Sequence, residues 1–471
     1  MARLIPRNFV DDLISRSDIV EIINQRVPLK KRGANYEACC PFHNEKTASF
    51  KVSAAKQIYH CFGCGKGGNA ISFLMEYDRL DFVEAVEQLA SQLSLTVPFQ
   101  NNATTQEQRR YIRDEKFALE KLLQRISQFY TKQLNQAIGT KAGEYLAKRG
   151  IKKTSMANFQ LGYAPASWDA IIKNFATTHE NRQTLLQLGL IINKGQHHAY
   201  DRFRDRLMFP IKNRRGQIIA FGGRSLDGQE PKYLNSPDSN LFHKSQELYG
   251  LYEVLQQTQQ NLPYLIVVEG YLDVISLHEQ GLPYAVAPLG TALTQEHLRR
   301  LCRYTDKIYF CFDGDNAGQN AAWRSLTMTL TQMQRNLTFY FVQLPAQHDP
   351  DSFIRAKGHA SFESLLAQAP SQADFFFQHI FANATTLDAK NQACQQALIL
   401  IRQMQDDIYQ KFLLNKLAEL TGLTLPELTQ KPNVNTTTQT KSNPSSSTAL
   451  RLFMALLVMQ PNLIEKIVDM E

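Results

Sequence analysis

The chain has 471 residues, 43% of them hydrophobic, with 52 basic and 44 acidic side chains and a formal net charge of +8. That length and apolar content exclude a disordered polymer and leave room for about three domains of roughly 150 residues each. Met1-Ala-Arg-Leu-Ile-Pro6 holds no signal-peptide core, and no apolar run reaches the roughly 18 residues of a membrane span, so a cytoplasmic protein without a membrane partner is expected. The cationic balance favours a polyanionic partner, nucleic acid first, if the bases cluster. Of seven cysteines, four lie between residues 39 and 64, a crowding that points to metal and not to a disulfide framework.

Residues 1–100 read as a small β module. Arg7 to Arg16 is a short helix, and Ser17 is the expected N-cap of a second. Cys40-x₂-His43 and Cys61-x₂-Cys64 each let two side chains of one tight turn reach a single ion. Three thiolates and one imidazole close a tetrahedral site with no position for a catalytic water, so structural zinc is expected. Cys39 and His60 lack that spacing. Asn69 should cap a helix running to Tyr77, and Asp81 with Glu84 forms a capping-box pair. Lys30, Lys31, Arg32 and Lys51, with Tyr36, Phe50 and Tyr59, read either as a surface for single-stranded nucleic acid or as a solvated rim beside core aromatics. Residues 101–112 lose apolar periodicity and read as a linker that lets the module move.

Residues 113–258 form a basic subdomain. Phe117 to Gln136 is a long amphipathic helix, and a further helix carries Arg149 and stops at Gly150. Arg202, Arg204, Arg206, Lys212, Arg214, Arg215 and Arg224 make the densest cationic stretch. Alternation from Tyr200 to Arg206 places Arg202, Arg204 and Arg206 on one strand face. Leu207 to Lys212 and Ile218 to Phe221 are hairpin strands, and Gly222-Gly223 marks backbone that a ligand can approach. Lys232 and Lys244 add cations to the same region.

Residues 259–345 alternate short apolar runs with helical segments, the pattern of a parallel α/β sheet. Two runs end abruptly in acid and glycine: Leu265-Ile-Val-Val-Glu269-Gly270-Tyr-Leu-Asp273 and Tyr309-Phe-Cys-Phe-Asp313-Gly314-Asp315. Working groups of such sheets sit beyond the carboxyl ends of the strands, where Glu269, Asp313 and Asp315 fall. Asp273 falls in the first turn of the next helix, where a negative charge suits the dipole. Carboxylates crowded at one edge repel each other unless a cation joins them, and Mg²⁺ is the natural one. For any single acid an N-cap is the competing reading. Asp349 and Asp351 read either as ligands of a further magnesium or as turn and cap residues.

Glu269-Gly270-Tyr-Leu-Asp273 and Asp313-Gly-Asp315-x-Ala317-Gly318 resemble the two signatures of the Toprim domain, which primases, topoisomerases and some nucleases share. Cys40-Pro-Phe-His43, Cys61-Phe-Gly-Cys64, Tyr145-Leu-Ala-Lys-Arg149-Gly150, Asp201-Arg-Phe-Arg204, Phe221-Gly-Gly-Arg224 and Lys232-Tyr-Leu-Asn-Ser-Pro237 extend the likeness. Across residues 1 to 430 the chain resembles the bacterial replicative DNA primases. The resemblance implies an α+β and α/β multidomain fold: a zinc-ribbon-like β module, a mixed basic subdomain, a Toprim parallel sheet and a helical C-terminal part. It implies a nucleotidyltransferase that builds short RNA primers from ribonucleoside triphosphates on single-stranded DNA at the replication fork. Two Mg²⁺ or Mn²⁺ ions would be held by Glu269, Asp313 and Asp315, with Asp273 beside them. Arg149, Arg202, Arg204, Arg224, Lys232 and Lys244 would guide template or grip triphosphate. Residues 346–430 would be a helical subdomain, 431–448 a second linker, and 449–471 the start of a helicase-docking domain. A replicative helicase is thus implied as a partner, left open because only the start of that domain falls within the chain. Two competing readings stand beside this: a Toprim nuclease or topoisomerase, and a non-enzymatic zinc-containing DNA-binding factor of recombination type. A fused helicase motor is excluded, since no G-x₄-G-K-[ST] loop occurs.

Overall fold

A computed structural model describes residues 5–33, 35–93, 95–98, 106–194, 198–257, 262–330, 337–404 and 406–429. The second linker and the expected helicase-docking segment therefore lie outside the described residues. The chain divides into two compact units, 1–413 and 414–471. In the second, the described residues hold the end of helix Asp407–Thr421 and the helix Leu425–Thr429.

The zinc-module sequence folds as a meander of five antiparallel strands in chain order: Lys30–Arg32, Asn35–Ala38, Phe50–Ser53, Ile58–Cys61 and Gly67–Gly68. Short turns between neighbours allow only antiparallel pairing. Phe50, Val52, Tyr59 and Cys61 alternate inward, while Lys51, Ile58 and His60 face out. Stacked Phe50 and Tyr59 rings, 5.2 Å between centroids, meet the edge of Phe73 on helix Ala70–Tyr77. Asn69 caps that helix, and Asp81 and Glu84 form the expected capping box. The second helix is capped by Asp18 instead of Ser17, whose hydroxyl donates back to the Ile14 carbonyl.

The basic subdomain is built on an antiparallel sheet ordered Tyr233–Asn235, Ile218–Ser225, Arg206–Lys212, Gly162–Ala164. Helix Gln106–Leu134 packs along it so closely that a Cβ on Gly162 would lie 2.5 Å from Tyr130 Cβ. This helix begins at Gln106, inside the segment expected to be linker, so the irregular connection is shorter than its composition implied.

The arginine row is corrected too. The strand expected to carry it ends at Asp201, and Asp205 takes a left-handed φ of 47°, which breaks the alternation. Arg202 turns to the Asn235 carbonyl, Arg204 stacks on Trp168, and Arg206 is buried against the Pro231 carbonyl. Gly222 and Gly223 make room for protein and not for a ligand. Added Cβ atoms would meet the Tyr271 and Phe203 rings at 2.5 and 2.8 Å.

The third sheet is wholly parallel, ordered Ala285–Val286, Leu265–Val267, Lys307–Cys311, Thr338–Val342. Its central strands are buried on both faces, which is why they read as unbroken apolar runs. Because these two strands are neighbours, Glu269 and Asp313 leave the sheet side by side. Beyond it, helix Gln372–Phe381 lays Phe375 on Phe341 with rings 4.6 Å apart. No described helix is long and apolar enough to cross a membrane.

Candidate metal centres and their basic surroundings

The ligand atoms of Cys40, His43, Cys61 and Cys64 all lie within 4.8 Å of one another. Two knuckles deliver them, one before strand Phe50–Ser53 and one at the end of strand Ile58–Cys61. Gly63 lets the knuckle close on the ring, since a Cβ would sit 2.6 Å from His43 Nε2 and displace it. His43 Nδ1 faces Cys61 Sγ at 3.8 Å, and Nε2 lies 3.2 Å from the Glu45 carboxylate. Glu45 also accepts from the backbone N–H of Cys40 (2.6 Å) and from the Ser49 hydroxyl (2.6 Å). It thus fixes both the ring and the knuckle, the arrangement by which outer carboxylates orient ligating histidines. Burial pushes the Cys40 thiol up to about 12. Burial acts on Cys61 in the same direction, but the Ser49 hydroxyl and the N–H groups of Cys64 and Gly63 prevail and bring it down to about 6. The donor set fits zinc, with one thiol poised to lose its proton first. Sequence spacing identified the four ligands; Glu45 offered no spacing signal, since its partners come from the fold.

Phe50 and Tyr59 are core residues, as the alternative of a solvated rim beside core aromatics has it. The exposed ring is Phe62, 69% accessible, between ligands Cys61 and Cys64. Lys51 lies over it at 5.3 Å and the His60 ring meets it at 4.8 Å. Lys30, Lys31 and Arg32 form an exposed edge strand of the same sheet.

At the parallel sheet, Glu269 Oε1 accepts from Asp313 N–H at 3.2 Å across the two central strand ends. Asp315 accepts from Gly318 N–H at 2.8 Å and so caps the following helix. Asp273 accepts from Gly270 N–H (2.9 Å) and Asp351 N–H (3.3 Å) and is 8% exposed. Asp313 Oδ1 is buried with no hydrogen-bond partner among the described residues. Desolvation first, then Glu269, Asp349 and Asp315, pushes the Asp313 carboxyl up to about 7, with Lys232 opposing. Desolvation likewise raises Glu269, with Asp315 adding, and holds Asp273 far above the usual carboxylate range beside Asp349, Asp313 and Asp351. Negative charge concentrated around an orphaned oxygen fits a divalent cation. Unlike the zinc ligands, these acids do not already converge on one point; among the described residues only the Cys40 group does so.

The expectation of a further magnesium at Asp349 and Asp351 meets acids already engaged. Asp349 caps helix Pro350–Lys357 through Ser352 N–H at 2.6 Å. Asp351, 1% exposed, is clamped by Arg149 and by Arg355 at 2.8 Å and accepts from the Ser276 hydroxyl. A buried carboxylate held by two guanidiniums has little ligand capacity left. Arg149, Asp351 and Asp273 therefore form a relay from the basic subdomain to the acid edge.

Arg224 lies between the rings of Tyr145 (5.1 Å) and Tyr233 (5.0 Å) and bonds the Tyr233 hydroxyl. Arg149 also lies over the Tyr145 ring, at 5.0 Å. Arg204 covers Trp168 at 4.2 Å and Tyr200 at 5.0 Å. Lys232 is exposed, and the Lys244 carbonyl is bonded to His297 Nε2 at 3.0 Å. The four arginines are held by aromatic faces, carbonyls and Asp351, not by one strand's alternation.

Family models match in four blocks: the CHC2 zinc finger at residues 5–105, the N-terminal domain of the DNA primase catalytic core at 129–255, a Toprim-like domain at 266–354, and the DnaB-helicase binding domain of primase at 373–425. The last falls on the helices after the parallel sheet, upstream of the segment where helicase docking was expected. The DNA primase of Pasteurella multocida is 44% identical over 99% of this chain and 80% of its own length. That of Escherichia coli K12 is 42% identical over 98% and 80%. A DnaG primase catalytic domain bound to single-stranded DNA aligns with a TM-score of 0.62 at 39% identity, over 66% of this chain and 98% of its own. The zinc-binding and RNA polymerase domains of the Aquifex aeolicus primase align over 90% and 99%, with a TM-score of 0.57 at 31% identity.

Proposed function

This chain belongs to the bacterial DNA primase family, and on that footing we propose that it makes short RNA primers on single-stranded DNA by metal-assisted nucleotidyl transfer from ribonucleoside triphosphates. Nuclease, topoisomerase and non-enzymatic readings are not favoured beside relatives matched over four fifths of their length. The observation that carries the mechanism is the buried, unpartnered Asp313 Oδ1 at the end of a central strand, with Glu269 beside it.

Glu269, Asp313 and Asp315 would hold divalent magnesium or manganese, which supplies charge neutralisation for the triphosphate and lowers the pKa of the attacking 3′-hydroxyl. The protein's share is positioning. Glu269 and Asp313 are fixed by neighbouring strands, and Asp315 is fixed by Gly318 N–H. Asp273, its carboxyl held far above the usual range by burial, accepts from Asp351 N–H and buttresses that turn. Lys232, the cation acting on Asp313, is assigned to the triphosphate. Arg149, Arg202, Arg204, Arg224 and Lys244 are assigned to the template, with Arg149, Arg204 and Arg224 held against aromatic rings. On the zinc module, exposed Phe62 with Lys51 and the Lys30–Arg32 strand is the face assigned to single-stranded DNA. Helices within 373–425 are assigned to a replicative helicase, and the cytoplasm is the expected compartment.

The test supplies single-stranded template, four ribonucleotides and Mg²⁺ and follows new RNA. Short template-dependent RNA supports the reading. Template cleavage without RNA synthesis contradicts it.

A further inference from the structure

A cavity of about 490 Å³ lies between the zinc module and the catalytic core. Arg26, Tyr77, Asp78, Arg79 and Gln88 line it from the module, and Arg214, Arg215 and Tyr304 from the core. Its wall thus carries four guanidiniums and a single carboxylate. That carboxylate, Asp78, is already committed: Arg26 binds it bidentately at 2.7 and 3.0 Å, and Gln88 donates at 3.1 Å. The two sides are fastened across the cavity. Arg214 pairs with Glu84 at 3.0 Å and donates to the Arg79 carbonyl at 3.4 Å, while the Arg79 guanidinium donates to the Tyr304 carbonyl. Arg79 itself sits at a left-handed φ of 54°, a conformation that a non-glycine residue holds only where its surroundings impose it. Burial depresses the basicity of its guanidinium, with Tyr304 and Asp306 opposing.

Tyr304 precedes strand Lys307–Cys311, at the amino end of the parallel sheet. The acids lie at the opposite, carboxyl end, so this cavity is separate from the proposed catalytic centre. We propose that it is a phosphate-binding site at the seam, which takes a phosphate group of a free nucleotide or of the nucleic-acid backbone and tightens the docked zinc module. Planar guanidiniums from two walls match the bidentate recognition of phosphate oxygens. Because cations come from both sides, an anion in the cavity would bridge the walls and add to the Arg214–Glu84 pair in holding the module against the core.

The site does not depend on the catalytic reading and is tested without catalysis. Pyrophosphate is titrated into the zinc-loaded chain by calorimetry, with no free divalent ion present, and a single-stranded oligothymidylate is followed by anisotropy. In parallel, fluorophores on the module and the core report docking by energy transfer. Saturable pyrophosphate binding that raises energy transfer, and that weakens about tenfold in Arg215→Ala, is expected. Arg215 is exposed in a turn, so this variant tests the site without disturbing the core. Lys232→Ala, at the catalytic centre, should leave this binding unchanged. Binding of the oligonucleotide alone, with the same Arg215 dependence, identifies the source of the phosphate as nucleic acid. Absence of binding by both probes, or binding that survives Arg215→Glu and is lost in Lys232→Ala, overturns the proposal.

Discussion

At the scale of single residues, the acids at the sheet edge act through their unfavourable environment. Asp313 is held near 7, so below that pH a proton competes with the metal. Metal affinity should therefore fall about tenfold per pH unit below 7 and level off above it, as one proton is displaced per ion bound. Mn²⁺ titration followed by electron paramagnetic resonance checks this; affinity independent of pH between 5.5 and 7 would contradict the assignment. Glu45 gives a second residue-scale expectation. Removing a carboxylate that orients a ligating histidine weakens a metal about 10–100-fold. Glu45→Gln should lower zinc affinity by that amount in chelator competition, whereas Cys39→Ser, outside the ligand set, should leave it unchanged.

At the scale of elements, legibility in the sequence followed the range of the interactions. The parallel strands, their helices and the caps at Asn69 and Asp81 were readable because apolar runs and capping residues act within a few positions. The four zinc ligands were readable for the same reason. The arginine row was not, because Asp205 breaks the strand through a backbone conformation that alternation does not encode. The engagement of Asp351 was equally hidden, since Arg149 lies 202 positions away. Asp201 shows how a local element hangs on such a contact. It is 1% exposed and accepts from Ile171 and Ile172 N–H at 2.6 and 3.2 Å, anchoring helix Ala170–Phe175. Burial lifts its carboxyl to about 6 although those N–H groups pull the other way. The folded state thus binds the proton more tightly than the unfolded chain. The stability this confers is full below an unfolded value of about 3.9 and is lost as pH rises through about 6, by roughly 2–3 kcal/mol. Asp201→Asn keeps one accepting oxygen and does not ionise. Relative to the natural chain it should gain stability between pH 5 and pH 8 in urea melts; an equal deficit at both pH values would refute this account.

At the scale of the whole molecule, residues 1–413 form one compact unit in which the zinc module is docked on the core and not merely tethered. Composition alone suggested a mobile module, because the contacts that hold it, Arg214 with Glu84 and Arg79 with Tyr304, are non-local. Glu84→Arg places like charges together at that seam and should increase amide hydrogen exchange around Arg79 and Tyr304 without loss of zinc. Unchanged exchange would show that this ion pair does not secure the module. The central claim is that the acid edge performs nucleotidyl transfer while the basic surfaces hold template. It is tested most directly by comparing Asp313→Asn with the natural chain in two readouts on one template: affinity for single-stranded DNA and rate of primer synthesis in Mg²⁺. Synthesis should fall about a thousandfold, the kinetic equivalent of about 4 kcal/mol, with template affinity unchanged within about twofold. Undiminished synthesis by Asp313→Asn, or loss of template affinity in proportion to synthesis, would contradict it.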